Sequence, residues 1–409
     1  VAFRAVEAAR ARGAFAGWAA PTRLVAPFPS TTSVSFAELF RPLRAAPADG
    51  YEIRYFDRAR NAVVGNPLRP RRHGRSWKTC CDVAFEALAA KVAMYGTPRW
   101  TGRRELSAAR AAVLDSTADP IVAYVGSTDG LAHMQGDEAT VEFLLDVDAA
   151  LTDLKRRHVE RHGRALRTVM FSDHGMGRVR IRSLGDVAGT LRHVGLRVAD
   201  RLGRAGDVVA PTFGVVDYGA LFVAPALAET AANGIVHHPG VEVAAWSAGP
   251  GTVDVVSSGG RGRVRWRACG ERRLFSYECT GSDPLRLEDA RRRLAGDGRL
   301  GADGFADDRE WLRETAAAHY PDALHRLADA FFGDAVRSRA PVLFSLAPGF
   351  AWGWRTAHVA ARFAGGRIEG THGGLDRESS LGFLLTEDAG IAAPPVVRAS
   401  EALAPFLPV

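Results

Sequence analysis

Two short apolar runs constrain this chain more than anything else in it. Ile121-Val122-Ala123-Tyr124-Val125 is bounded by Pro120 and Gly126, and a second run covers Leu166 to Phe171. Between them, Asp137 to His162 carries Val141, Leu144, Leu145, Val147, Leu151 and Leu154 at helical spacing, so the stretch reads as strand, crossover helix, strand. A continuous apolar run marks a strand buried on both faces, and a crossover of this kind makes its two strands parallel. The predicted class is α/β with a mainly parallel central sheet.

Both predicted strands end in the same pair of side chains. Asp129-Gly130-Leu131-Ala132-His133 follows the first, and Ser172-Asp173-His174-Gly175-Met176-Gly177 follows the second. Carboxylate oxygen and imidazole nitrogen are the donors that hold Zn²⁺ or Mn²⁺, and open α/β sheets place their sites at strand ends. Asp129 and His133, with three residues between them, can reach one ion from a turn after the strand. Asp173 and His174 are adjacent, so their side chains diverge and serve one ion or two neighbouring ones. His372, in Thr371-His372-Gly373-Gly374, supplies a further imidazole. Two divalent ions about 4 Å apart clamp the attacking and leaving oxygens of a phosphoryl group, so a metal-dependent hydrolase is the leading expectation.

The rest of the chain places these motifs. Residues 1 to 18 read as an amphipathic helix, Leu24 to Phe28 as an extended run, and Ser33 to Leu43 as a helix. Pro29-Ser30-Thr31-Thr32 therefore lies at a strand-to-helix junction, where unpaired backbone N–H groups face outward. Asp57 to Arg75, with His73, reads as a polar loop, and Asp82 to Tyr95 and Arg104 to Leu114 as helices. The character changes from about Val179 to Ala340. Helical stretches (Val187 to Leu202, Pro284 to Leu294, Asp307 to Phe332) surround alternating ones at Val241–Val243, Val253–Val256, Arg263–Arg267 and Leu274–Tyr277, a pattern of antiparallel hairpins. The alternating arginines read as a solvated strand face. Val342 to Leu346 restarts a buried strand, and the expected division is a core of 1–180 and 340–409 carrying an inserted α+β cap, 181–339.

Composition narrows the partners. The net charge of +7 comes almost wholly from arginine, since Lys78, Lys91 and Lys155 are the only lysines, and no basic stripe interleaves with aromatics as single-strand binders require. No nucleic-acid-binding module is expected. The longest apolar stretch, Val208 to Ala228, is broken by Asp217 and by glycines and prolines, short of the ~20 residues of a membrane span. Of four cysteines, Cys80 and Cys81 read as buried small residues, and Cys269 and Cys279 flank a hairpin either as a bridge or as free thiols. The chain opens at Val1 in a helical pattern without a leader, and its compartment is left undetermined.

In their order, Pro29-Ser30-Thr31-Thr32, Asp129 with His133 and Gly136, Ser172-Asp173-His174-Gly175-Met176 and Thr371-His372-Gly373 resemble the motifs of the alkaline phosphatase superfamily, close to its nucleotide pyrophosphatase/phosphodiesterase branch. The resemblance covers residues 1 to about 180 and about 340 to 409. It implies a three-layer α/β sandwich and a hydrolase of small phosphate-ester substrates using two divalent ions, zinc or else manganese. One ion would be held by Asp129, His133 and His372. The other would be held by Asp173, His174, the oxygen of Thr32 and an Asp that the family carries at the end of its first strand. Thr32, favoured over Thr31 by the Pro-Ser-x-Thr pattern, would be the nucleophile and pass through a phosphothreonine intermediate. That last Asp has no match here, and the expectation places it upstream of Val1; without it the chain would be a catalytically impaired metal-binding member. Phosphotransferase or phosphomutase chemistry on the same core is the alternative. Sulfatases of the superfamily need a cysteine in a Cys-x-Pro-Ser-Arg context, and Cys80 and Cys81 lie elsewhere. Three features have simpler readings: Thr32 as a helix cap, His237-His238 as a surface loop, and Asp376 and Arg377 as neighbours that orient His372 or touch substrate.

Overall fold

The computed structural model describes residues 1–65, 77–84, 93–178, 182–183, 186–212, 214–353, 368–387 and 394–407. His73, in the expected polar loop, and residues 85–92 of the expected helix Asp82 to Tyr95 lie outside them. Four helices, α1 (Phe3–Ala11), α2 (Thr32–Leu39), α3 (Pro98–Asp115) and α4 (Ser127–His162), surround a four-stranded sheet in a mixed α/β arrangement. Its strands lie in the order Val396–Arg398, Thr22–Val25, Leu381–Thr386, Val169–Phe171. The period-two alternation of the third strand explains how both faces are covered. Leu384 packs with Leu24, Phe36 and Leu39 on the α2 side, while Phe383 and Leu385 pack with Val6, Leu131 and Leu144 on the α1 and α4 side.

The expected mainly parallel sheet is not what pairs. Thr22–Val25 is parallel to Val396–Arg398, but Leu381–Thr386 runs antiparallel to both Thr22–Val25 and Val169–Phe171. A strand from near the C-terminus is threaded between two others that share one direction, and no local pattern in those two announces it. Ile121–Val125 also departs from expectation. It forms a single parallel bridge, Val83 to Ala123, and the Val122 N–H is taken by the Asp82 carboxylate at 2.8 Å instead of a ladder partner.

The middle of the chain forms a second sheet of seven strands in the order Tyr218–Leu221, Val342–Leu346, Val241–Gly249, Thr252–Ser257, Gly260–Cys269, Arg272–Gly281 and Ala306–Asp307, every ladder antiparallel. The expected hairpins are present, and their arginines are ion-paired on the exposed face, Arg263 to Asp254 at 2.7 Å and Arg265 to Glu278 at 3.0 Å. Cys269 faces Arg272 and Cys279 faces Gly262 in the same hairpin, seven positions away. That is roughly 23 Å along a strand, far beyond the ~7 Å Cα limit of a disulfide, and all four cysteines are free. The expected helix Val187 to Leu202 is only Val187–Arg192, because Gly195 turns the chain at φ +77. Asp307 to Phe332 divides into α5 (Asp308–Thr315) and α6 (Ala323–Phe332). His238, expected on the surface, is buried and bonds the Pro239 carbonyl, while His237 is exposed. Among the described residues no helix is long and apolar enough to cross a membrane.

A buried ion network ties α5 and α6 to the four-stranded sheet. Arg398 bonds Asp322 at 2.7 Å and Asp308 at 2.8 Å, and His325 stands between Asp308 (3.5 Å) and Asp329 (3.1 Å). Burial and Arg398 work against the imidazolium, but Asp308 and Asp329 outweigh them and raise His325 from 6.5 to about 9. A base whose pKa is raised on folding contributes fully below its unfolded pKa and loses that contribution as pH rises through the folded one. Stability should therefore fall between pH 7 and pH 10, by up to about 3 kcal/mol at ~1.4 kcal/mol per unit. Calorimetry across that range should show the fall in the parent and a flatter profile in His325→Gln; equal falls would refute the assignment.

Candidate metal centre

Thr22–Val25 and Val169–Phe171 run in the same direction, so the chain leaves both at one end of the sheet. The first exit leads through Ser30 and Thr31 into α2, and the second leads directly to Asp173 and His174. His372 precedes Leu381–Thr386, which begins at that same end. Asp129 and His133 reach it from the first two turns of α4. They stand four apart on a helix face, not on a turn after a strand as expected, and the Ser127 N–H at the start of that helix is capped by the buried Glu105 carboxylate at 2.9 Å. The helix breaks after them at Gly136 (φ 74, ψ −164), a conformation that excludes other residues, so a short site-bearing turn is separated from the long crossover helix.

All six sequence-predicted residues meet here. Asp129 Oδ1 lies 3.4 Å from His133 Nε2 and 3.5 Å from His372 Nε2. His174 Nε2 lies 3.1 Å from Asp173 Oδ2 and 3.2 Å from the Thr32 hydroxyl. The rings of His174 and His372 stack at 3.9 Å, joining the two groups. Among the described residues, Asp129, His174 and His372 are the one set of three whose ligand atoms all lie within 4.8 Å of each other. His133 and Asp173 flank that set at one contact's remove. Thr31 is separate: it is fully buried and donates its hydroxyl to the Tyr51 carbonyl at 2.8 Å.

The polar bookkeeping of these side chains fits a cation. Each imidazole donates Nδ1–H to a backbone carbonyl: His133 to Gly370 at 2.8 Å, His174 to Gly175 at 2.8 Å and His372 to Ser30 at 3.1 Å. With Nδ1 protonated, a neutral ring turns the lone pair of Nε2 inward, the arrangement that orients metal-bound histidines. Asp129 Oδ1 is buried and has no hydrogen-bond partner. A buried carboxylate oxygen left unpaired is costly unless a positive charge faces it. Burial and the neighbouring His174 push His372 down to about 3, so it stays neutral and available. Burial opposes ionisation of Asp129 and Asp173, but positive charge on His133 and His174 outweighs it and holds both carboxyls well below their usual range, and Asp129 in turn raises His133 against its burial; a divalent ion would take the place of that positive charge and leave the rings neutral.

Four residues of this neighbourhood escaped the sequence reading. Tyr95 donates its phenol to Asp129 Oδ2 at 2.9 Å. Glu52 is pushed up to about 8 by burial and by Asp129. Asp217 accepts from the Gly374 N–H and the Ser379 hydroxyl behind His372, and its own N–H donates to the His372 carbonyl at 3.1 Å. Burial and the nearby Asp376 push its carboxyl up to about 7. Arg326 reaches the same loop from α6. A carboxylate interrupting the apolar run around Val215-Val216-Asp217-Tyr218 was the one available signal for Asp217. Asp376 caps the short helix after His372, accepting from the Glu378 and Ser379 N–H groups, and Arg377 is exposed beside Glu378.

No protein-family model matches this chain, and no curated protein matches it. Among solved structures, it is similar to human ectonucleotide pyrophosphatase/phosphodiesterase 5, with a TM-score of 0.45 and 10% identity over 94% of this chain and 85% of that one.

Proposed function

We propose that this protein is a metal-dependent hydrolase of phosphoric esters, of the phosphodiesterase or pyrophosphatase kind, with Thr32 as nucleophile and an alkaline phosphatase-like three-layer core bearing a cap. The observation that carries the reading is that two imidazoles, His133 and His372, face an Asp129 oxygen that has no hydrogen-bond partner, while a third, His174, has a ligand atom within 4.8 Å of those of Asp129 and His372 and stands beside the Thr32 hydroxyl, each ring fixed through Nδ1 to a backbone carbonyl. The motif order in the sequence supports it independently. Asp129, His133 and His372 would hold one divalent ion, and Asp173, His174 and the Thr32 oxygen a second, zinc being the ion this donor set suits best. Bound there, the ions supply Lewis acidity that favours the Thr32 alkoxide and offsets phosphoryl charge.

The steps assigned to the chain's own residues are short. Thr32 Oγ1 gives up its proton through solvent to the departing ester oxygen and forms a bond to phosphorus as that oxygen leaves with its electron pair, giving phosphothreonine. The first N–H groups of α2 have no helical partners and would bind phosphoryl oxygens. Water then cleaves the Thr32–phosphate bond and restores the hydroxyl. The test is metal analysis of the purified protein together with turnover of bis-p-nitrophenyl phosphate before and after chelation. About two ions per chain and at least a ~100-fold loss on chelation are expected. Fewer than one ion per chain, or turnover indifferent to chelator, would overturn the reading.

A further inference from the structure

Tyr95 has no place in the motifs, yet its phenol is aimed at the centre of the site. Asp129 offers two oxygens, and they are treated differently. Oδ1 is buried, unpaired, and within 3.5 Å of two imidazole nitrogens. Oδ2 accepts the Tyr95 hydroxyl at 2.9 Å. A free carboxylate can rotate and offer an ion either one oxygen or both, whereas one whose second oxygen is engaged presents only the first. From this asymmetry, we propose that Tyr95 is a positioning residue that holds Asp129 as a one-oxygen metal ligand. The inference rests on the metal-centre reading above.

The approach of Tyr95 is built into the backbone. Residue 130, next to Asp129, must be glycine, because a Cβ there would lie 2.0 Å from the Met94 carbonyl oxygen. The absent side chain lets the helical residues 93–96 close onto the first turn of α4, which brings the phenol to the carboxylate. The Tyr95 ring is tilted against the His133 ring with centroids 6.3 Å apart, so the same side chain lies over a second member of the site. Only the hydroxyl end is engaged. The residue remains 42% exposed, and replacing it by phenylalanine removes one oxygen with little loss of packing.

Groups that orient metal ligands typically affect metal affinity by about 10 to 100-fold when removed. The experiment is calorimetric titration of the metal-free full chain with Zn²⁺, and with Co²⁺ followed by visible absorption, in the parent and in Tyr95→Phe. The expected result is 10 to 100-fold weaker binding of the Zn²⁺ held by Asp129, with a changed Co²⁺ spectrum, and with KM for bis-p-nitrophenyl phosphate unmoved at saturating metal. Equal affinity and an identical spectrum in the two proteins would overturn the assignment while leaving the function intact. A raised KM with unchanged metal affinity would overturn it too, by making Tyr95 a substrate contact. If the parent itself binds no ion, the metal-centre reading fails first.

Discussion

Replacing Thr32 by alanine is expected to reduce turnover of bis-p-nitrophenyl phosphate by about 10³-fold or more, with the fold unchanged. Two threonines compete for the role, and the structure separates their environments. Thr31 has the backbone of a helix cap (φ −110, ψ 152), but its side chain makes no cap hydrogen bond. Its hydroxyl is committed to the Tyr51 carbonyl, and the residue is fully buried. Thr32 is the first residue of α2 and points its hydroxyl at His174 Nε2, 3.2 Å away. The simple explanation of Thr32 as a helix cap therefore does not describe its side chain. A lost cap would cost about 1 kcal/mol of stability and nothing in chemistry. A lost nucleophile removes the route through phosphothreonine, leaving only what binding and polarisation of the ester achieve. Thr32→Ser keeps an oxygen at the same place and should retain the reaction. A near-parental rate in Thr32→Ala would reduce Thr32 to a helix residue, and a large loss in Thr31→Ala with intact folding would move the role to its neighbour.

How much of this was legible in the sequence depended on range. Asp173 and His174 follow an apolar run directly, and their placement at a strand end needed only local pattern. Asp129 and His133 carry ligand types at a workable spacing, but that spacing suits a turn as well as the helix that holds them. Residues 127–135 contain only Leu131 and Met134 as large apolar side chains, too few for the repeat that marks a helix, and the start of α4 is held by Glu105 from another helix. The sheet was harder. Leu381–Thr386 enters between two strands that precede it by more than 200 residues, and no run of neighbouring residues encodes that pairing. Tyr95 and Arg326 were invisible for the same reason, since each is defined by what it meets across the fold. Arg326 did leave a trace. It stands on α6 beside the buried Leu324, Leu327 and Phe331, a cation among core positions.

That cation leads to the second large effect: Arg326→Met should destabilise the protein by about 3 kcal/mol and, on the proposed function, lower kcat/KM of the folded protein for bis-p-nitrophenyl phosphate by about 10²-fold. Arg326 is 3% exposed, and although burial pushes its guanidinium down to about 10, it remains charged at neutral pH. Both of its Nη groups donate to oxygens of two site loops, Nη1 also reaching the Pro321 carbonyl at 3.2 Å, while the buried Nε has no hydrogen-bond partner. Nη1 bonds the Leu375 carbonyl at 2.7 Å, and Nη2 bonds the Ser30 hydroxyl at 3.0 Å and the Gly374 carbonyl at 3.4 Å. Those loops also hold each other. Ser30 N–H donates to the Gly373 carbonyl at 3.0 Å, and His372 Nδ1 donates to the Ser30 carbonyl at 3.1 Å. Arg326 thus fastens the turn that presents Thr32 to the loop that presents His372. Each hydrogen bond from a charged donor contributes about 1.5–3 kcal/mol, and desolvation of the cation offsets part of the sum. The kinetic effect follows from geometry, because displacing reacting groups by about 1 Å costs on the order of 10²-fold. Lysine keeps the charge but cannot span both loops, so Arg326→Lys should recover part of the stability and less of the rate. Urea unfolding and kinetics under conditions where each variant is fully folded separate the two consequences. A destabilised Arg326→Met with a parental rate would make Arg326 a support for the core alone and remove it from the alignment of Thr32 with His372.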